Sequence, residues 1–239
     1  ALRRAMTESF PSDPVPVAVA TSDLPRRAVS AVMMLAMAGT ALWLGGAVLR
    51  TFIALVALAC FVEFVLLVVR ATQSLPSRLA AILAGAAYIG GAAAILVQLP
   101  ASSIVLLVGA IICVDTFAYF FGRSIGGPKI APKISPSKTW AGLLGGVVGA
   151  SLWIALFSSF AAPGDMPLFA SRSEAALLVG IGALVAIAAQ SGDFFESWLK
   201  RRAGKKDSSN LIPGHGGVFD RVDGMLPVAL LFGIVAAFN

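Results

Sequence analysis

Two short stretches hold most of the side chains able to do acid–base or phosphate chemistry. The first, "IPGHGGVFDRVDG" from Ile212 to Gly224, contains the chain's only histidine, His215, with Asp220, Arg221 and Asp223 close behind it. Its glycines let the backbone approach a ligand and adopt positive φ. The second, "QSGDFFESWLKRR", puts Asp193, Glu196, Ser197, Lys200 and Arg201 at helical spacing, on one stripe that runs from carboxylate to cation. Brought near Asp193, the pair Asp220 and Asp223 would form an oxygen-rich pocket of the hardness that magnesium prefers. Magnesium is usually bound by one or two carboxylates plus substrate phosphates, and the surrounding Lys and Arg side chains would clamp the remaining phosphate charge.

A third stretch, "GGPKIAPKISPSKTWAG", has prolines every four residues, Pro128, Pro132 and Pro136, and so reads as an extended loop. It presents Ser135 and Lys138 just before a helix start, a setting that suits phosphate. Lys129 and Lys133 serve equally well as orientation charge. Asp115, in "VDTFAYFFGRSIG", shares a helix face with Tyr119 and Gly122 near a membrane boundary. Glu63, alone in "CFVEFVLLVV", reads as a polar contact between helices.

The elements that must carry these residues are membrane helices. About 20 mainly apolar residues cross a bilayer, and seven runs qualify by that measure: 28–48, 51–69, 79–98, 103–122, 139–160, 175–198 and a shorter one at 224–239. With the N-terminal tail in the cytoplasm, all of the 18 Lys and Arg residues except Arg50 and Arg172 fall on the cytoplasmic side. Both polar loops, 123–138 and 199–223, then share that face. The expected fold is an all-α polytopic membrane protein of about seven transmembrane helices with two functional cytoplasmic loops. Residues 1–25 form a flexible cytoplasmic tail without an evident signal peptide, and 26–239 a transmembrane catalytic domain.

Bulk composition agrees. Of the 239 residues, 58% are hydrophobic and only 13% charged, far below the quarter expected of a soluble domain. The net charge of +6 reads as an orientation signal rather than a nucleic-acid surface. Cys60 and Cys113 lie in apolar runs, which argues against a disulfide framework, and a lone histidine argues against zinc.

The stretch from Ser197 to Asp223 resembles the signature of the phosphatidate cytidylyltransferases, or CDP-diacylglycerol synthases. That signature has Ser, two residues, Lys-Arg, four residues, Lys-Asp, then Pro-x-His-Gly-Gly and Asp-Arg-x-Asp. Here Ser197, Lys200, Arg201, Lys206, Asp207, Pro213, His215, Gly216, Gly217, Asp220, Arg221 and Asp223 fill it. The upstream "DTFAYFFGR" and "SPSKTW" extend the likeness to residues 115–224. Two positions depart from the family pattern: Ala141 stands where the family usually has Glu, and Gly224 where Ser is common.

The resemblance implies transfer of the cytidylyl group of CTP to phosphatidic acid at the cytoplasmic face of a bacterial-type inner membrane, by a homodimer. It implies Asp193 and Asp220 as ligands of Mg2+, with room for a second cation, and Asp115 and Asp223 as residues that complete or orient the site. Lys200, Arg201, Lys206 and Arg221 would bind phosphates, and Ser135 and Lys138 would reach nucleotide or lipid phosphate from the other loop. Ser197, Asp207, His215, Gly216 and Gly217 would shape substrate binding, with His215 positioning rather than acting as a base. Competing readings are a CTP-dependent lipid alcohol kinase, a cytidylyltransferase for an isoprenoid ether lipid and, from another class, a cation-coupled transporter.

Overall fold

The computed structural model describes residues 24–161 and 172–237. The expected tail lies outside the described residues up to residue 23; Leu24 and Pro25 already belong to the first helix, where proline suits the opening turn. Six long helices follow in order: α1 (Leu24–Leu44), α2 (Gly46–Ala71), α3 (Leu75–Leu96), α4 (Ala101–Ser124), α5 (Trp140–Ala161) and α6 (Arg172–Arg202). All six are long and apolar enough to cross a membrane. The seventh expected span is shorter than a crossing helix: a four-residue turn, α7 (Phe219–Val222), precedes α8 (Met225–Ala237), which has 13 residues. The protein is an integral membrane protein of mostly helical fold.

The lysine-rich loop is extended, as its prolines require, and it goes further than expected. Strands β1 (Lys129–Ala131) and β2 (Ser135–Thr139) pair antiparallel, with Lys129 opposite Thr139. The ladder is irregular between Lys129 and Ala131, as a proline-bearing hairpin with missing donors allows.

Burial runs opposite to that of a water-soluble protein. Leu35, Trp43, Leu83, Leu144 and Phe160 point outward and are exposed, because hydrocarbon rather than water is their solvent. Inside, Leu67, Ile89, Val114, Ala186, Phe219 and Val228 form one core across α2, α3, α4, α6, α7 and α8. Phe64 stacks on Phe195 and meets Phe219 edge-on, with centroids 6.3 and 6.1 Å apart, which fixes α2 against α6 and the α7 turn.

Both polar loops emerge at the same end of the bundle. Arg201 at the end of α6 donates from Nε to the Ile134 carbonyl in the hairpin, and Lys138 pairs with Asp193. The start of α1 joins them: Ser30 Oγ lies 2.8 Å from His215 Nδ1 and donates to the Pro213 carbonyl at 2.9 Å. Cysteines introduced at Lys133 and Lys206 should therefore react with an impermeant maleimide from one side of the membrane, and a cysteine at Gln98 from the other. Labelling of Lys133→Cys and Lys206→Cys from opposite sides would contradict the fold.

Candidate active site

The last turns of α6 carry the acidic stripe inward. Asp193, Glu196 and Lys200 all face one polar cavity of about 630 Å³ that is also lined by Asp115, Tyr119 and Gly122 of α4, Lys138 and Thr139 of β2, and Asp207, Asp220, Arg221 and Asp223. Gly192 is what lets the second motif come so near. A Cβ there would sit 2.0 Å from the Asp223 carbonyl oxygen, so any other residue would push the α7–α8 junction off α6.

Within the cavity, Lys200 Nζ lies 2.8 Å from Glu196 Oε2 and 2.6 Å from Asp220 Oδ1. The other Asp220 oxygen, Oδ2, accepts from the amides of Ser208 at 2.9 Å and Gly217 at 2.8 Å and from the Ser208 hydroxyl at 2.7 Å. Burial by itself would raise the Asp220 pKa, but the adjoining Glu196 carboxyl, the Lys200 ammonium and the Gly217 and Ser208 donors outweigh it and hold it well below the usual carboxylate range. Asp223 moves the other way. Burial first, then the charge of Asp193, pushes it up to about 7, against the Gly224 amide donor at 2.8 Å and the charge of Lys138.

The arrangement fits a hard cation. One carboxylate oxygen each from Asp193, Glu196 and Asp223 lies within 4.8 Å of the others. Oxygen ligands at about 2.0–2.6 Å from a shared ion span that separation. Glu196 is 2% exposed, and its Oε1 has no hydrogen-bond partner among the described residues, an orphaned acceptor that a cation would satisfy. The structure thus groups Asp193 with Glu196 and Asp223, while both oxygens of Asp220 are filled by protein donors. Glu196 sits on the stripe read from the sequence, where it has no assigned role; its spacing from Asp193 is the signal that finds it.

All but one of the remaining expected residues fall in two neighbouring cavities. Ser135, Ser197, Arg201 and Lys206 line one of about 470 Å³ that shares Lys200 with the first. Lys206, Asp207, His215, Gly216 and Arg221 line another of about 640 Å³, together with Arg26 and Arg27 of α1, which the sequence reading left unassigned. Gly217 lines neither; it packs on Ser208 and Glu63. Asp207 and Arg221 form a wall common to this cavity and the first. On the opposite face of α6 lies an apolar cavity of about 680 Å³, between Phe64, Tyr88, Phe195 and Trp198, with Arg202 at its edge and no carboxylate. It offers no carboxylate to hold a cation.

Residues 98–238 match the cytidylyltransferase family. The chain is 44% identical over 139 residues to a phosphatidate cytidylyltransferase of Brucella abortus, covering 57% of this chain and 47% of the relative. It is 44% identical over 116 residues to one of Rickettsia felis, covering 48% of this chain and 50% of that one. With one of Haemophilus influenzae, the identity is 42% over 118 residues, or 49% and 40% of the two chains. The chain thus spans about half the length of the relatives it matches.

Lys200 is the only cation bonded to both Glu196 and Asp220 among the described residues. Lys200→Met should destabilise the detergent-solubilised protein by about 3 kcal/mol, since it leaves two carboxyls facing each other. Adding Glu196→Gln should recover part of that loss in a thermal-unfolding double-mutant cycle. Strict additivity would show that Lys200 does not mediate between them.

Proposed function

This chain belongs to the cytidylyltransferase family, and from that premise we propose that it transfers the cytidylyl group of CTP to phosphatidic acid. A phosphate oxygen of phosphatidate attacks the α-phosphorus of CTP, the α–β phosphoanhydride bond breaks, and pyrophosphate leaves. The observation that carries this reading is the acidic trio Asp193, Glu196 and Asp223 standing beside Lys138, Lys200 and Arg221 in one cavity. Opposite charges packed so closely suit a reaction between two polyanions.

The protein's own work is positioning and charge neutralisation, as in other phosphoryl transfers. An acceptor phosphate is already a nucleophile near neutral pH, so no strong base is needed. Bound at Asp193, Glu196 and Asp223, a Mg2+ ion would supply Lewis-acid stabilisation of the phosphate charge. Asp220, for which the family resemblance implies a metal role, acts in our reading as the counter-ion that fixes Lys200. Lys138, held by Asp193, and Arg221 reach phosphate oxygens from two sides. Arg201 and Lys206, in the adjoining cavity with Ser135 and Ser197, receive the departing pyrophosphate. His215 serves the loop: Nδ1 meets Ser30 Oγ, and its carbonyl accepts from Arg221 Nη2 at 2.8 Å. Asp115 borders the trio from α4.

A cation-coupled transporter would call for acids near the midplane between broken helices. Here the acids cluster with the loops at one end, which supports the transferase. We place that end at the cytoplasmic face of a bacterial inner membrane, where CTP comes from water and phosphatidate from the leaflet; the homodimer implied by the family resemblance belongs to the same proposal.

Purified protein given labelled CTP, phosphatidate and Mg2+ should form a lipid that retains cytidine, and EDTA should stop it. Asp193→Asn should lower kcat at least about 10²-fold. A product carrying phosphate alone would make the enzyme a lipid kinase, and indifference to chelation would remove the metal.

A further inference from the structure

Glu63 lies on α2, outside the region matched to the family, and no part of the reaction above uses it. An ionisable side chain in an apolar transmembrane run is costly, yet this one is 3% exposed and fully engaged. Oε1 accepts from the Ser209 hydroxyl at 2.6 Å and the Val218 amide at 3.0 Å. Oε2 accepts from the Phe219 amide at 2.8 Å and meets the Ser208 hydroxyl at 2.9 Å. Oε1 thus has two donors and Oε2 one, with the single Ser208 proton shared between Oε2 and Asp220. Three of the partners come from the loop between α6 and α7, and the fourth, Phe219, opens α7.

Ser208 is the link that matters. Its hydroxyl lies between two carboxylates, 2.9 Å from Glu63 Oε2 and 2.7 Å from Asp220 Oδ2, while its amide donates to Asp220. Asp220 in turn holds Lys200. The packing here is close enough to exclude a side chain at Gly217, whose Cβ would fall 2.0 Å from Ser208 Oγ and 2.4 Å from Glu63 Oε2. Ser209 offers an internal control, for it bonds the same carboxylate without touching Asp220.

We propose that Glu63 is a positioning residue for the transfer reaction, setting Asp220 and Lys200 through Ser208. This rests on the transferase reading. A contact that served stability alone would make Ser208 and Ser209 equivalent. Positioning makes them unequal.

The test uses the full chain in detergent, with kcat and KM for CTP measured beside thermal midpoint and monodispersity. Displacement of a reacting group by about 1 Å costs about 10²-fold in rate, so Ser208→Ala should lower kcat at least about tenfold and Ser209→Ala no more than about threefold. Glu63→Gln turns an amide NH2 toward existing donors and should lower kcat about 10²-fold while KM for CTP stays within about threefold, with Glu63→Asp recovering part of the loss. Equal losses in the two serine variants, or a Glu63→Gln loss matched by loss of folded protein, would overturn the proposal.

A second arm needs no turnover. Trypsin should cleave at Lys205 and Lys206 at least about tenfold faster in Glu63→Gln, because the loop's anchor to α2 is weakened; an unchanged rate overturns the anchor. A wild-type protein that makes no cytidine lipid would instead overturn the transferase reading, leaving the protease result to report on the anchor separately.

Discussion

One ammonium group organises the polar end of this bundle. Lys200 sits between Glu196, one helical turn before it, and Asp220, which arrives from a loop and a short turn 20 residues later. Charges taken out of water are tolerated only when their partners are close and the remaining lone pairs are filled. Asp220 meets that condition with a cation on one oxygen and loop donors on the other. Glu196 meets it on one oxygen only, and its carboxylate lies close to those of Asp193 and Asp223. The same ion pair that fixes the loop thus leaves an acidic corner incomplete, and that corner is where a cation fits.

The placement of the cavities follows from α6. One face of its C-terminal end is polar and lines two adjoining spaces rich in lysines, arginines and hydroxyls; the opposite face, with Phe195 and Trp198, is apolar. Arg202 lies over the Trp198 ring at 5.1 Å, so even the terminal cation on the apolar side is held against an aromatic surface. A helix so divided meets polar groups on one side and apolar ones on the other.

The hydropathy of the chain made the six long spans legible, and the spacing of Asp193, Glu196 and Lys200 made their shared face legible too. Helix α6 continues past the expected end of its apolar span at residue 198 to Arg202, in keeping with the helical spacing of Lys200 and Arg201, whose cations can snorkel. The hairpin was less visible: strands of three and five residues, interrupted by proline, give too short a pattern to separate from an extended loop. Asp220 and Asp193 are legible as residues lining one cavity, but the donors that fill Asp220 and leave Glu196 and Asp223 to group with Asp193 are set by tertiary packing. Glu63 shows the limit most clearly. Its charge stands out in an apolar run, yet its partners are 145 to 156 residues away, and no local pattern announces such a distance.

The family match begins at residue 98, within the connection between α3 and α4. Glu63, Arg27 and Ser30 all precede it, and all three meet the loop that carries Asp220 and His215. A fragment cut at that boundary would keep the whole signature and still strand the loop's amides and hydroxyls without an acceptor. The early helices, which lie before the family match, are therefore a mould for the segment that carries the signature as well as an anchor in the bilayer, and grafting that segment onto another set of membrane helices would require carrying this buried acid with it.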